Sequence, residues 1–347
     1  KNINNYFYLL FSIIPISILI GPSFSLMNIL LIDISFLILV YFNKEYSFLK
    51  NESLKYFLIL YFYLIFNSLI SIDQTLGLNR NLGFLRIIIL FVAINYFFKD
   101  KNFFRKVFLI WLITISIVIL DVFFENYFGK NIFGFKSEII GRNVSFFKDE
   151  HIVGGYIYSF SLILLGYLFD NFKGKYKYII LFFSLILLIS IFSTGERSNS
   201  IKALIGLIIF YAVKSNFSIK QKLISFFLTL VFLISFISNS EILKLRYFDQ
   251  IKNIYTGESS NYYFQIYNSG FEVFKNYPIL GVGNKNYRVE TCKNLHREKD
   301  IYVCTTHPHQ TYIEFLSEHG IVGSFLLFYK FYKLIFSKIK MIYKSRN

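Results

Sequence analysis

Long apolar runs separated by mostly short polar connections set the pattern of this chain. Stretches able to cross or nearly cross a bilayer as helices run from Tyr6 to Ile20, Phe24 to Phe42, Leu54 to Ser71, Leu82 to Phe98 and Phe103 to Phe124. After a polar loop the pattern resumes at His151 to Phe169, Tyr178 to Ser193, Ile201 to Val213 and Leu223 to Ile237, and after a longer polar excursion at Gln310 to about Phe336. The pattern predicts an all-α polytopic membrane protein of about ten transmembrane helices, some short enough to need tilt or local thinning of the bilayer. Five helices fall within 1–125, four within 151–237, and the last helix with a basic tail within 310–347. A loop at 126–150 and a larger one at 238–309 separate these blocks. Residue 1 is Lys rather than Met, so a trimmed chain is expected. No small-x-small cleavage site follows the first run and Gly21-Pro22-Ser23 reads as a turn, so that run is kept as a membrane helix and not a signal peptide.

Composition supports this picture: of 347 residues 55% are hydrophobic, and the mean hydropathy is +0.50. No soluble domain of this length hides that much Phe and Ile. Lys and Arg (37) exceed Asp and Glu (21) by 16. In a soluble protein that excess suggests nucleic acid; here its placement accounts for it, and no nucleic-acid partner is implied. One alternating set of loops is basic: Lys44, Lys50 and Lys55; Lys99, Lys101, Arg105 and Lys106; Lys173, Lys175 and Lys177; Lys214, Lys220 and Lys222; and the tail with Lys338, Lys340, Lys344 and Arg346. The other set holds none at Gly21 to Ser23, then Arg80 alone and Arg197 alone. Positive charge stays on the cytoplasmic side, so both termini are expected inside and the two large loops outside.

The outer loop 238–309 gathers most of the candidate chemistry. Cys292 and Cys304 both lie in it, in a compartment where thiols oxidise, and their spacing predicts a disulfide; two free thiols is the other reading. From Tyr262 to Tyr277 the apolar positions Tyr263, Ile266, Tyr267, Phe271 and Phe274 have helical spacing, which predicts an interfacial helix. It stops at Asn276-Tyr277-Pro278, and Gly281-Val282-Gly283 then permits a tight turn or a close approach to a ligand.

Thr306-His307-Pro308-His309-Gln310-Thr311-Tyr312-Ile313-Glu314 brings histidines, a proline and a carboxylate to the entry of the last helix. Pro308 suits a first helical turn with Thr306 or His307 as cap, placing His309 among the free N–H groups at the helix start. The helix dipole then keeps His309 neutral, as a general base requires. A plain polar helix cap is the competing reading. A metal pair is a third, but His-x-His is weak evidence for zinc and offers no further ligand beyond His296. Arg197, the one basic residue in the short turn Thr194 to Asn199, is placed for a phosphate, which its planar fork matches; a snorkelling residue or a salt bridge to Glu196 is the alternative. Arg288, with Arg246 behind it, is a second cationic candidate, and Arg142 and Glu150 are further polar groups just before a span. Asp33, Asp121 and Lys202, inside spans, form no continuous relay, which argues against an ion-coupled transporter.

Four stretches together resemble the superfamily of O-antigen ligases and O-antigen polymerases of bacterial envelopes, which also contains a branch that glycosylates proteins. They are Phe147-Lys148-Asp149-Glu150 with Gly154-Gly155-Tyr156; Ser193 to Ser198; Asn276 to Gly283 with Tyr287-Arg288 and Cys292; and Cys304 with His307 to Glu314 leading to Glu318-His319-Gly320-Ile321-Val322-Gly323. The resemblance covers roughly Arg142 to Phe328. It implies a GT-C-like helical fold in the bacterial inner membrane, with the active site on the periplasmic face. The implied activity is a metal-independent, cofactor-free glycosyltransferase whose donor is glycan on undecaprenyl pyrophosphate and whose acceptor is lipid A core or another glycan. By motif, His309 takes the role of base, Arg197 and Arg288 neutralise the pyrophosphate with Arg246 in reserve, and His307, Gln310, Glu314, Arg142 and Glu150 support them. Gln310 stands where the family has Asn, and Tyr262, Tyr263 and Gln265 occupy the neighbourhood where the loop helix carries Arg. A ligase is expected, a polymerase shares the chemistry, and a flippase of lipid-linked sugars or a non-catalytic scaffold are the readings from other classes.

Overall fold

Each of the ten apolar stretches is helical over most of its length in the computed structural model, which describes residues 2–172, 176–213, 218–249, 259–293 and 302–344. The helices are α1 (Asn2–Ser12), α2 (Ile14–Ile20), α3 (Pro22–Asn43), α4 (Glu52–Leu69), α5 (Gln74–Gly83), α6 (Leu85–Phe97), α7 (Lys101–Phe128), α8 (Val153–Asn171), α9 (Tyr176–Ser193), α10 (Arg197–Val213), α11 (Ile219–Ser238), α12 (Glu241–Lys244), α13 (Ser259–Asn276), α14 (Tyr287–Lys293) and α15 (Thr311–Lys344). A single π turn, Leu245–Asp249, follows α12, and no strand occurs among the described residues.

Among the described residues six helices are long and apolar enough to cross a membrane: α3, the continuous stretch Gln74–Phe97, α7, α8, α11 and Thr311–Ser337 of α15. The pair α1–α2 makes a seventh if it counts as one span, although it bends by 45°. This is a multi-pass membrane protein with fewer full-length candidates than the ten read from the hydropathy pattern. The shortfall has a physical basis. Helix α10 has 17 residues and opens on Arg197, about 25 Å at the helical rise, against a hydrocarbon core of about 30 Å. Helix α4 carries Glu52, Lys55, Asn67 and Ser68.

The bend between α1 and α2 falls where Pro15, in the first turn of α2, offers no N–H to the preceding turn. Tyr156 of α8 donates to the Pro15 carbonyl at 3.0 Å. Lipid provides no hydrophobic drive between helices, so close packing and hydrogen bonds hold them together.

The chain divides into two units, Lys1–Ile32 with Phe97–Lys252, and Asp33–Tyr96 with Asn253–Asn347. In the first, Phe7 and Phe11 of α1 pack on Phe97 and on Phe103 of α7, and Trp111 Nε1 donates to the Phe11 carbonyl at 2.9 Å. The end of α7 fixes the loop that follows it. Asp121 accepts from Ile132 N at 2.9 Å and from the Ser145 hydroxyl at 2.5 Å, and Glu125 accepts from Val144 N and Ser145 N at 3.0 and 2.7 Å. Asp121 is therefore a clamp on the loop that follows α7 rather than a group stranded in a span.

In the second unit α15 breaks at Gly320 (φ 61°, ψ −164°), so backbone groups on both sides lose their helical partners. The segment Pro278 to Gly283 supplies them: Ile321 N donates to Pro278 O (2.8 Å), Val322 N to Ile279 O (3.1 Å), Val282 N to Ser317 O (3.0 Å) and Gly283 N to Glu318 O (2.9 Å). Tyr63 donates to the His319 carbonyl at 2.6 Å and Asn67 to the Leu280 carbonyl at 2.6 Å.

Candidate functional site

The first unit gathers three arginines around the turn between α9 and α10. Asn143 N donates to Thr194 O at 3.2 Å, which brings the Gly141–Arg142 segment onto that turn. Arg246 Nη2 donates to Gly195 O at 3.0 Å. Tyr247 anchors the π turn from behind, its hydroxyl 2.7 Å from Ser200 Oγ and 3.0 Å from Phe192 O; burial raises the phenol to about 12, so it stays neutral. Arg197 begins α10 and is half-buried. Burial, then the charges of Arg197 and Arg142, push the Arg246 pKa down, so the three guanidiniums repel one another.

Glu196, beside Arg197, does not neutralise it. Its carboxylate accepts from Gly154 N at 2.6 Å, Gly155 N at 3.2 Å and Asn199 Nδ2 at 2.5 Å. It caps α8, an anion at the positive end of a helix. A side chain at position 154 would meet Thr194 Oγ1 at 2.6 Å and Glu196 Cδ at 3.1 Å, which explains the glycine there. Among the described residues no carboxylate pairs with Arg142 or Arg197, and Arg142 Nε is buried without a hydrogen-bond partner. The salt bridge to Glu196 weighed from the sequence is thus not formed.

The second unit holds the histidines. The expected placement of Pro308 and His309 inside the helix start is corrected. Gln310 is the cap, its side chain accepting from Ile313 N at 2.6 Å and its carbonyl from Glu314 N at 2.9 Å. His309 lies just outside, with φ +53°, a left-handed conformation uncommon for residues other than glycine. It is exposed. Lost hydration, then the neighbouring His307 ring 4.3 Å away, push its pKa down against the pull of Glu314, so it is neutral at pH 7.

His307 Nδ1 lies 2.9 Å from Thr306 Oγ1, and Glu314 is 3.6 Å from Lys285 Nζ. Arg288 is exposed on α14; it belongs to this unit, whereas Arg246, expected to sit behind it, lies with Arg197. His319 Nδ1 is 3.0 Å from Asn67 Oδ1 and the ring is buried, a structural role. Cys292 and Cys304 are bridged, with a Cα–Cα distance of 4.6 Å, tying α14 to the segment leading into His307. The interfacial helix expected from Tyr262 to Tyr277 is α13, which packs on this segment: Gly270 faces Pro308 and Ile313. Glu150 is exposed and makes no side-chain hydrogen bond among the described residues. Among the described residues no three His, Cys, Asp or Glu converge as a metal site; His296 lies outside them.

Cationic turn, histidine segment and bridged loop occur in one stretch of sequence, and that stretch matches the family model described as O-Antigen ligase over residues 182–328. Residues 182–328 resemble an O-antigen ligase domain. No curated protein and no solved structure matches the chain. The matched domain contains Arg197, Arg246, Arg288, His307, His309, Gln310, Glu314 and both cysteines, and excludes Arg142 and Glu150. Gln310, which stands for the Asn of the resemblance, does at the start of α15 what Asn does well at an N-cap. Gln310→Ala is therefore expected to cost about 1 kcal/mol, a melting temperature lower by about 2–4 °C, and Gln310→Asn to be at least as stable as the native chain. Thermal melts of the purified protein test both, and an unchanged melt for Gln310→Ala would sink the capping role.

Two residues of this unit-one cluster were missed from the sequence. Glu196 appeared only as a possible partner of Arg197; the Gly154-Gly155 pair it caps was the available signal. His151 read as the first residue of a span, and nothing in the pattern set it beside Arg142.

Proposed function

We propose that this protein is a glycosyltransferase of envelope polysaccharide assembly that transfers glycan from undecaprenyl pyrophosphate to an acceptor hydroxyl, an O-antigen ligase with lipid A core as acceptor. The single observation that carries this reading is the gathering of Arg142, Arg197 and Arg246 with no carboxylate among the described residues pairing the first two. Such a cluster is costly unless an anion completes it, and fixed cations act best on charge that develops as a bond breaks. On this reading Arg197 and Arg246 hold the departing diphosphate, with Arg142 beside them and Arg288 as a further cation. His309 accepts the proton of the acceptor hydroxyl as its oxygen attacks the anomeric carbon. Both termini lie in the cytoplasm, the shorter helices also span to make about ten, and the site works at the periplasmic face, as the loop charges favour.

Arg197→Ala is expected to lower transfer by about 10²- to 10³-fold with protein abundance unchanged, and Arg197→Lys to recover only part of it, because an ammonium lacks the bidentate fork. Lipopolysaccharide gels of cells lacking the gene and complemented with each variant give the readout, with immunoblots for abundance. Equal loss of ladder and protein would make Arg197 merely structural. Loss of every O-antigen band in the deleted strain supports the ligase; a core carrying a single repeat means a polymerase.

A further inference from the structure

A titratable side chain with no role in the mechanism above is tied to the arginine cluster through the Ser137–Arg142 loop, where Ile139 O accepts from both the Ser137 hydroxyl at 2.9 Å and Arg142 N at 3.1 Å. His151 lies just before α8, with its Nε2 2.7 Å from Ser137 Oγ. That hydroxyl also donates to Ile139 O at 2.9 Å and accepts from Ile139 N at 3.0 Å. A hydroxyl has one proton. With that proton directed to Ile139 O, the contact to the ring is donated by Nε2–H, which leaves Nδ1 as the basic nitrogen, and no described residue bonds to it.

Charges reach the ring from each neighbouring segment. Partial burial and then Arg142, on the loop before α8, lower its pKa from the ordinary histidine value; Arg246 on the π turn adds to this, while Glu196 on the α9–α10 turn and Asp149 on the loop oppose it. Without an anion the ring is therefore neutral at pH 7. A diphosphate on the arginines would cancel their repulsion and add an attraction of its own, and Nδ1 could then donate to one of its oxygens.

We propose that His151 is a further ligand of the donor's diphosphate and takes up one proton at Nδ1 as that anion binds, an inference that rests on the diphosphate reading of the arginine cluster. The proton comes from solvent and returns to it when the diphosphate product leaves, so turnover carries no net change. His151 is a binding and positioning residue; no covalent step passes through it.

The test uses the full-length protein in detergent and a short-chain dialkyl diphosphate, whose ionised oxygens do not titrate in the working range. Wild-type affinity is expected to strengthen as pH falls from about 8 to 5.5, by at most about tenfold per pH unit. Calorimetry in two buffers of different ionisation enthalpy should read up to one proton absorbed per anion. His151→Gln should flatten the pH dependence and abolish the absorbed proton, whereas Arg197→Ala should weaken binding at every pH and keep the slope. A slope that survives in His151→Gln overturns the proposal. So does a wild type that binds with no proton uptake, a result that needs no variant to fold. A wild type that melts normally yet binds the diphosphate at no pH overturns the underlying diphosphate reading as well.

Discussion

Replacing His309 by alanine is expected to lower glycan transfer by about 10²- to 10⁴-fold, the range for loss of a positioned general base, while the protein stays in the membrane at normal abundance. The second half of that expectation follows from the local structure. The His309 side chain is exposed, makes no hydrogen bond among the described residues and lies against the His307 ring, so its removal breaks no hydrogen bond among them. The left-handed backbone that presents it (φ +53°) is held by Gln310 capping α15 on one side and by Pro308 against Gly270 on the other. The pH dependence adds an independent check. A base works in its neutral form, and lost hydration followed by His307 lowers the His309 pKa. Transfer should therefore be full at neutral pH and fall on the acid side only below about 6.5, the ordinary histidine value. His307→Ala removes one of the two lowering influences and should move that acid limb upward. Gels of complemented deletion cells measure the first effect and transfer by purified protein across pH the second. A full ladder from His309→Ala would remove the histidine from the chemistry.

Gly281→Ala is expected to remove the protein from the membrane rather than slow it. Gly281 (φ +69°) and Gly320 (φ +61°) sit back to back. A Cβ on Gly281 would overlap the backbone of Glu318 and His319, and one on Gly320 the carbonyl of Ile279. Backbone cannot move aside as the tip of a flexible side chain does. Separating the two segments would also strip partners from the four backbone hydrogen bonds that bridge the break in α15, and an unsatisfied backbone group inside a bilayer costs several kcal/mol. The total exceeds about 4–5 kcal/mol, the range of the most damaging single substitutions. Gly166→Ala, in α8 with nothing within 4 Å of its added carbon, serves as the control and should accumulate normally. Membrane-fraction immunoblots and size-exclusion profiles decide it; Gly281→Ala accumulating with a native profile would mean that the break is not held as described.

The two expectations draw on different levels of information. His309 and Arg197 were legible in the sequence because each stands out against its surroundings: a histidine beside a proline at the mouth of an apolar run, an arginine alone in a very short turn. The same contrast revealed the membrane helices and the paired cysteines, since bilayer thickness fixes how long an apolar run must be and an oxidising compartment pairs thiols near in sequence. It overcounted the full-length spans, because runs such as Ile201 to Val213 are apolar without being long enough to cross unaided. The Gly281-Val282-Gly283 turn was recognised as a tight backbone feature, but not that it approaches another part of its own chain.

Local pattern alone therefore determined that this is a multi-pass membrane protein, helical among the described residues, with the candidate chemistry in polar segments at 126–150, 194–199 and 238–309, and it singled out most residues of the two clusters. Only the tertiary structure decided their company. Arg246 joins Arg142 and Arg197 because the Tyr247 hydroxyl anchors the π turn on Ser200 and Phe192, more than forty residues away. Glu196 serves α8 instead of its neighbour Arg197 because Gly154 and Gly155 let that helix start come close. The break in α15 is tolerable because a segment some forty residues earlier fills its hydrogen bonds. Periodicity and propensity act over one or two turns of helix, whereas like charges, buried carboxylates and orphaned backbone groups are satisfied by whatever the fold brings near, and no local pattern records that partner.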